Sequence, residues 1–199
     1  MKNKYNKKIT LISITIIILG LFVYFVSNSK MESSVSGPVL SEVNTQWNAP
    51  TASSPYVKPK DDELRKLLPS LSYNITQENG TETPYTSEHT KNTDPGIYVD
   101  IVSGAPLFSS RDKYDSATGW PSFVQPISPD ALTYKVDKEL GIERTEVRSA
   151  LADSHLGHMF DDGPADRGGK RYCINGFALR FIPKDQMVVM GYGEYLKNI

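Results

Sequence analysis

Cys173 is the only cysteine in this chain of 199 residues, and it lies in the segment Arg171-Tyr172-Cys173-Ile174-Asn175. A single thiol can form neither an intramolecular disulfide nor a multi-cysteine metal site. If the segment is extended, Arg171, Cys173 and Asn175 share one face, because side chains alternate along a strand. A guanidinium there favours the thiolate, and an amide could donate to a developing oxyanion. Cys173 is therefore a candidate nucleophile, with a buried and inert cysteine as the alternative.

Two histidines precede this segment, His155 and His158, and Asp162 follows them. A separation of three residues would suit a metal pair on a helix, but the intervening Gly157 favours a turn. Since Cys173 is the only soft ligand, we expect no metal site. Two imidazoles and a carboxylate close to one thiol instead favour acid–base chemistry.

A tryptophan marks the third candidate segment, Gly119-Trp120-Pro121-Ser122-Phe123. Pro121 disfavours helical geometry for Trp120 and pushes it towards an extended conformation. An indole held in this way can form one wall of an apolar pocket, although an ordinary core position is the alternative.

Short strands must position these residues. Strand-like alternation or apolar runs, bounded by glycine and proline, occur at residues 97–102, 133–137, 144–149 and 177–182. Several short strands separated by turn signals predict antiparallel sheets rather than βαβ units. Residues 61–68 predict a short helix that ends at Pro69, and the polar residues 74–95, which include His89, predict a long surface loop.

The chain begins with a segment that predicts a membrane anchor. Residues 1–8 carry four lysines, and Ile9–Val26 holds no charge over 18 residues, enough for a helix to cross a hydrocarbon core of about 30 Å. We therefore predict a cytoplasmic tail at 1–8, a transmembrane signal-anchor at 9–27, a flexible linker at 28–58 and a folded domain at 59–199. The positive-inside rule places that domain outside the cytoplasm, and a cleaved, secreted form is the alternative.

The charge of the chain argues against a nucleic-acid partner. Five of the 22 basic residues lie in residues 1–30, which leaves 17 basic against 23 acidic side chains in the remainder. A mildly acidic domain lacks the basic surface on which nucleic-acid binding usually depends.

Taken together, the motifs of residues 61–193 resemble the B-type methionine sulfoxide reductases, which reduce the R epimer of methionine sulfoxide. The resemblance rests on an ordered series of segments. These are Thr76–Glu82, Gly96–Asp100, Ser103–Phe108, Lys113–Ser116, Gly119–Phe123, Glu146–Ser149, Asp153–His158 and Arg171–Asn175.

The resemblance implies a mainly β fold: two antiparallel sheets packed as a small β-sandwich or open barrel, with short flanking helices, here preceded by one transmembrane helix. It also implies that Cys173 attacks the sulfoxide sulfur and becomes a sulfenic acid. The roles it implies for the other residues fall into three groups. Arg171 and Asp162 tune the thiol; His155, His158 and Asn175 bind and protonate the sulfoxide oxygen; Trp120, Phe123 and Phe108 contact the substrate.

Three departures from the family pattern matter. The positions of the four zinc-binding cysteines found in many members are Asp100, Ser103, Ser149 and Ala152, so the chain resembles the metal-free branch and we expect no metal or other cofactor. The usual resolving cysteine is Thr118, so recycling would need an external, thioredoxin-like thiol. Asp161 stands where proline is common, and a second carboxylate beside Asp162 could shift a neighbouring pKa.

The implied function is thiol-dependent repair of methionine-R-sulfoxide in oxidised extracytoplasmic proteins and peptides. Two alternatives stay open. Free methionine sulfoxide could be the preferred substrate, or the domain could be a sandwich-fold binding module that recognises sulfoxides or proteins without turnover.

Overall fold

The structure is a computed structural model that describes residues 49–50, 55–138 and 141–199. The predicted tail at 1–8, the predicted span at 9–27 and most of the predicted linker at 28–58 lie outside the described residues. Within the described part, no helix has the length and apolar character needed to cross a membrane.

Two short helices open the domain. Helix α1 (Asp61–Leu67) confirms the predicted helix, with three acidic residues in its first turn and two basic residues in its last, as the helix dipole favours. Helix α2 (Ser70–Glu78) occupies part of the predicted 74–95 loop, so that prediction is wrong there. Tyr73 and Ile75 are buried in two different core clusters, so a mostly polar segment can still contribute to the packing of the domain.

Among the described residues, nine strands form two antiparallel sheets. They are β1 (Gly96–Asp100), β2 (Pro106–Ser109), β3 (Lys113–Tyr114), β4 (Ser122–Phe123), β5 (Leu132–Asp137), β6 (Arg144–Ser149), β7 (His155–Phe160), β8 (Arg171–Ile174) and β9 (Leu179–Pro183). The first sheet has the order β2-β1-β9, and the second has the order β3-β4-β8-β7-β6-β5. The predicted pair of antiparallel sheets is confirmed. No strand pairing joins them within the described residues, so the open-barrel alternative does not hold.

The main core lies between the two sheets. Tyr98 and Phe108 from the small sheet pack with Phe123, Val147 and Ile174 from the large one. The rings of Phe108 and Phe123 stack with centroids 4.3 Å apart. Because side chains alternate along a strand, Cys173, which lies between the core residues Tyr172 and Ile174, faces away from this core.

Three further local predictions are corrected by the structure. Residues 155–158, predicted as a turn, belong to strand β7. A short 3-10 helix at Gly176–Ala178 replaces the first part of the strand predicted at 177–182. His89, predicted to be solvated, is only 9% exposed, and its ring packs against Tyr98.

Candidate active site

Cys173 and His158 are direct partners across the β7–β8 pairing. The same row continues from Cys173 to Ser122 on β4 and from His158 to Glu146 on β6. Paired residues of adjacent antiparallel strands project from the same face of a sheet. The register therefore places a thiol, an imidazole and a carboxylate side by side on the face opposite the core.

Gly157 permits the close approach of β7 and β8 beside the thiol. A Cβ atom built on Gly157 would lie 2.1 Å from the carbonyl oxygen of Cys173, and its φ of +152° is one that other residues rarely adopt. This glycine, which suggested a turn, instead allows strands β7 and β8 to lie close together, since only a residue without a side chain fits there.

A small pocket opens at Cys173, with a volume of about 140 Å³. Its lining residues are Thr81, Trp120, Arg144, Gly157, His158, Phe160, Cys173 and Asn175. Four residues predicted from the sequence therefore meet at one cavity: the thiol, one imidazole, the asparagine and the indole. Trp120 and Cys173 are both half-buried, so each presents part of its side chain to the pocket.

The environment of Cys173 raises the pKa of the thiol, whereas the sequence suggested a stabilised thiolate. Burial raises the pKa of the Cys173 thiol, and Arg171 and a contact from Thr118 only partly offset this effect. The Thr118 hydroxyl lies 3.9 Å from the Cys173 sulfur. Arg171 is held by Asp162 through two hydrogen bonds of 2.8 Å, from Nε and Nη2. The arginine does favour the thiolate as predicted, but desolvation outweighs it, so the pKa of the thiol lies above its ordinary value.

Asp137 connects His158 to Arg144. Its Oδ2 lies 2.7 Å from His158 Nε2 and 2.5 Å from Arg144 Nη2. The side chains of all three residues are less than one-fifth exposed. The carboxylate therefore fixes the orientation of the imidazole that reaches the pocket, as carboxylates do for functional histidines.

His155 lies behind His158 and does not line the pocket. The two rings meet edge to face at 5.6 Å, and His155 Nδ1 lies 2.6 Å from Glu146 Oε1. Burial lowers the pKa of His155, although Glu146 acts in the opposite direction. Burial alone would raise the pKa of Glu146, but hydrogen bonds from His155 and Arg148 hold it below its ordinary value.

This arrangement defines the tautomer of His155. An ionised Glu146 can only accept a hydrogen bond, so the proton of the neutral His155 ring lies on Nδ1. Nε2 is then an acceptor, and it is buried without a hydrogen-bond partner among the described residues. His155 can support His158 but has no proton on Nε2 to donate.

Asn175 is held by the main chain at both ends of its amide. Its Oδ1 accepts from the N–H of Glu82 at 3.0 Å, and its Nδ2 donates to the carbonyl of Leu156 at 3.1 Å. One amide hydrogen of Nδ2 is left for a ligand in the pocket.

Phe108 and Phe123 are not part of the pocket. Both side chains are fully buried between the sheets, and neither lines the cavity at Cys173. Because Ser122 shares the face of Cys173, the next residue along β4 must point into the core. The structure therefore does not bring these two phenylalanines, predicted to contact the substrate, to the pocket at Cys173, where Phe160 supplies an aromatic wall.

Asp161 does not crowd Asp162. Its carboxylate pairs with the ammonium group of Lys170 and is 80% exposed. Asp162 pairs with Arg171, and this hydrogen bond holds the pKa of Asp162 below its ordinary value. Each carboxylate thus has its own cation.

The positions of the family's zinc ligands hold a polar cluster that does not fit zinc. Asp100 is fully buried, and its oxygens accept from the N–H of Val102 at 2.9 Å and the hydroxyls of Ser103 at 2.8 Å and Ser154 at 3.1 Å. Ala152 offers no donor atom, whereas a structural zinc site needs four ligands. These hydrogen bonds join the turn after β1 to the turn before β7.

Several residues of the site were missed by sequence reasoning. Asp137, Arg148 and Glu82 take part through contacts with residues far along the chain, and Arg144 lines the pocket. Glu82, Glu146 and Arg148 lay in recognised motifs but received no role. Their partners lie on other segments, so only the strand register and the fold reveal them.

Comparison with known proteins adds an independent observation. The family model described as the SelR domain matches residues 68–183. A protein of Vibrio cholerae serotype O1 named "Peptide methionine sulfoxide reductase MsrA/MsrB" is 59% identical over 141 residues. That match covers 71% of this chain and 37% of the relative, so the chain spans only about a third of the length of the curated relative it matches.

Proposed function

The chain belongs to the SelR domain family, the B-type methionine sulfoxide reductases, and from this premise we propose that it reduces methionine-R-sulfoxide in oxidised proteins to methionine. The observation that carries the proposal is the juxtaposition of Cys173 and His158 at a pocket that also holds Trp120 and Asn175. A nucleophile and a proton donor next to an apolar wall suit a substrate in which a polar S=O group carries a methyl group.

The reaction begins with the sulfoxide in the pocket, its methyl group against Trp120 and its oxygen near His158 and Asn175. His158 Nε2 faces Asp137, so Nδ1 is the nitrogen that takes the proton of the Cys173 thiol and passes it to this oxygen, which makes the sulfur electrophilic. The Cys173 sulfur then attacks and receives the oxygen. The substrate leaves as a thioether, and Cys173 remains as a sulfenic acid. The substrate sulfur is reduced by two electrons and the cysteine sulfur is oxidised by two.

Because the pKa of Cys173 is raised, deprotonation of the thiol has to accompany the reaction with the bound substrate. The resting thiol must lose its proton as the sulfoxide oxygen gains one, so the overall step neither consumes nor releases a proton. His155, with an unpaired acceptor at Nε2 behind the ring of His158, supports this transfer through its neighbour and not as the acid itself.

The cycle then depends on an external thiol. The sequence contains no second cysteine, so one external thiol attacks the sulfenic acid, releasing water and forming a mixed disulfide. A second thiol resolves this disulfide and restores Cys173. A thioredoxin-like dithiol supplies both equivalents. No metal or organic cofactor takes part.

The place of action follows from the beginning of the chain. The basic residues 1–8 and the uncharged residues 9–26 support a membrane anchor with the domain on the extracytoplasmic side. The protein would then repair oxidised proteins outside the cytoplasm, at the membrane surface, or in secreted form if the anchor is cleaved.

A single-turnover experiment tests this function. Reduced protein is mixed with an excess of one peptide that carries either the R or the S epimer of methionine sulfoxide, without any reductant. The R epimer should yield one methionine per protein, and mass spectrometry should find one added oxygen on Cys173. Formation of product by the Cys173→Ser variant would contradict the mechanism.

The same experiment separates the enzyme from a binding module and compares the substrate classes. A module that only binds sulfoxides would leave Cys173 unmodified with either epimer. Running free methionine-R-sulfoxide in parallel tests the preference for protein substrates. A higher kcat/KM for the free amino acid would overturn that part of the proposal.

A further inference from the structure

Glu82 contacts two walls of the pocket through its main chain without lining the pocket itself. Its N–H donates to Asn175 Oδ1 at 3.0 Å, and its carbonyl oxygen accepts from Trp120 Nε1 at 3.3 Å. Asn175 and Trp120 both line the cavity at Cys173. A single residue thus fixes the amide that faces the sulfoxide oxygen and the indole that faces the methyl group.

The side chain of Glu82 anchors this main-chain bridge. It is only 2% exposed, and its carboxylate accepts from the N–H groups of Gly176 at 2.9 Å and Phe177 at 2.8 Å. These are the two residues that follow Asn175. The segment after α2 and the turn after β8 are therefore joined by hydrogen bonds at Asn175 and at the two residues that follow it.

Only an ionised carboxylate fits these two donors. Burial raises the pKa of Glu82, and the N–H groups of Phe177 and Gly176 act against this rise. The two amides offset part of the cost of a buried charge, since a carboxylate inside a protein needs hydrogen-bond donors. A glutamine at this position would turn its NH2 group towards one of the two N–H donors and leave that donor unpaired.

We propose that Glu82 is a positioning residue that holds Asn175 and Trp120 at the separation required by the sulfoxide group. This inference rests on the proposed reductase function and deepens it. It differs from a purely structural role, in which the carboxylate would only complete the turn at Gly176–Ala178. The two roles predict different properties of the pocket once the Glu82 carboxylate is removed.

The test compares Glu82→Gln with Glu78→Gln. Glu78 is the matched control, because its exposed carboxylate contacts only the surface residues Arg65 and Asn74 among the described residues. Both variants carry Trp47→Phe, so that all tryptophan emission comes from Trp120. For Glu82→Gln we expect KM for an R-sulfoxide peptide to rise about tenfold. Acrylamide quenching of Trp120 should rise, while iodoacetamide should alkylate Cys173 within about twofold of the parent rate.

The results distinguish the two roles. A lower melting temperature with unchanged KM and unchanged Trp120 quenching would overturn the positioning role. If Glu82→Gln does not fold, hydrogen exchange of the parent protein decides: the amides of Glu82, Gly176 and Phe177 should be protected together. Rapid exchange of all three would overturn the bridge itself.

Failure of the inference can be distinguished from failure of the proposed function. A parent protein without reductase activity would refute the function, while quenching and exchange would still report on the bridge. An active parent whose KM and quenching are unaffected by Glu82→Gln would refute only the inference.

Discussion

Asp162 accepts hydrogen bonds from both Nε and Nη2 of Arg171, each with a length of 2.8 Å. The arginine is therefore oriented by a carboxylate while it lies close enough to Cys173 to lower the pKa of the thiol. Arg171 also covers the ring of Phe160, with its guanidinium carbon 4.4 Å from the ring centroid. Arg171 thus packs on one wall of the pocket and partly offsets the effect of burial on the pKa of the Cys173 thiol.

The first prediction concerns the ionisation of Cys173. Burial raises the pKa of the thiol, so its alkylation by iodoacetamide should reach half of its maximal rate at a pH above that of an ordinary cysteine. Arg171→Gln removes a cation that favours the thiolate, so the midpoint should move to still higher pH. Arg167→Gln is the matched control, because Arg167 pairs with Asp112 and is not among the groups acting on the thiol. A midpoint that moves to lower pH in Arg171→Gln would contradict the assignment.

The second prediction separates the two histidines. His158 lines the pocket, whereas His155 lies behind it and pairs with Glu146. His158→Gln should slow methionine formation in a single turnover by about 100-fold or more, the range of general acid catalysis. His155→Gln should cost less, because His158 and Asp137 stay in place. Equal losses in the two variants would show that His155 acts directly on the substrate.

Part of this site could be predicted from the sequence because its key residues share short segments. Cys173 and Asn175 lie two positions apart in one segment, and strands β5 and β6 follow from simple alternation between turn signals. The roles of Phe108 and Phe123 could not be assigned in this way. A shift of one position moves a side chain to the other face of a sheet, and only the pairing of Ser122 with Cys173 fixes which face Phe123 takes.

Other features depend on partners that the local sequence does not contain. Gly157 suggested a turn when only the local sequence was considered. The structural requirement for glycine comes from the neighbouring strand, where the carbonyl oxygen of Cys173 leaves no room for a side chain. Helix α2 was missed because few of its residues are apolar, although Ile75 is fully buried. The pKa of Cys173 could not be foreseen, because it depends on burial, which is set by the packing of the whole domain.

The third prediction tests the close approach at Gly157. Gly157→Ala would bring a methyl group against the carbonyl oxygen of Cys173, so the strands must separate or the backbone must distort. We expect a loss of about 2–4 kcal/mol in the free energy of unfolding, measured by urea denaturation. Gly168→Ala is the control: its φ is +95° and no atom lies within 4 Å of the added carbon. It should cost only about 1 kcal/mol, because strain of the backbone is its sole penalty.

The fourth prediction concerns the polar cluster that occupies the positions of the zinc ligands. Asp100→Ala would leave the N–H of Val102 and the hydroxyls of Ser103 and Ser154 without their acceptor. The free energy of unfolding should fall by about 2–4 kcal/mol, since unpaired buried polar groups are costly. Asp94→Ala replaces an exposed carboxylate and should change stability by less than about 0.5 kcal/mol. Similar values for the two variants would show that the cluster does not join the two turns.

The fifth prediction addresses how the enzyme is recycled. Thr118 Oγ1 lies 3.9 Å from the Cys173 sulfur, at the position where the resembling family often has its resolving cysteine. In Thr118→Cys, the new thiol should attack the sulfenic acid formed by one turnover and release water. Titration of thiols after treatment with an R-sulfoxide peptide should then find none, and mass spectrometry should find residues 118 and 173 in one disulfide.

Thr133→Cys provides the control for this experiment, because Thr133 lies exposed on β5, at the far edge of the sheet from β8. Its thiol should remain titratable after turnover, while Cys173 carries the added oxygen. If Thr118→Cys also keeps a free thiol beside an oxidised Cys173, the two side chains cannot reach bonding distance.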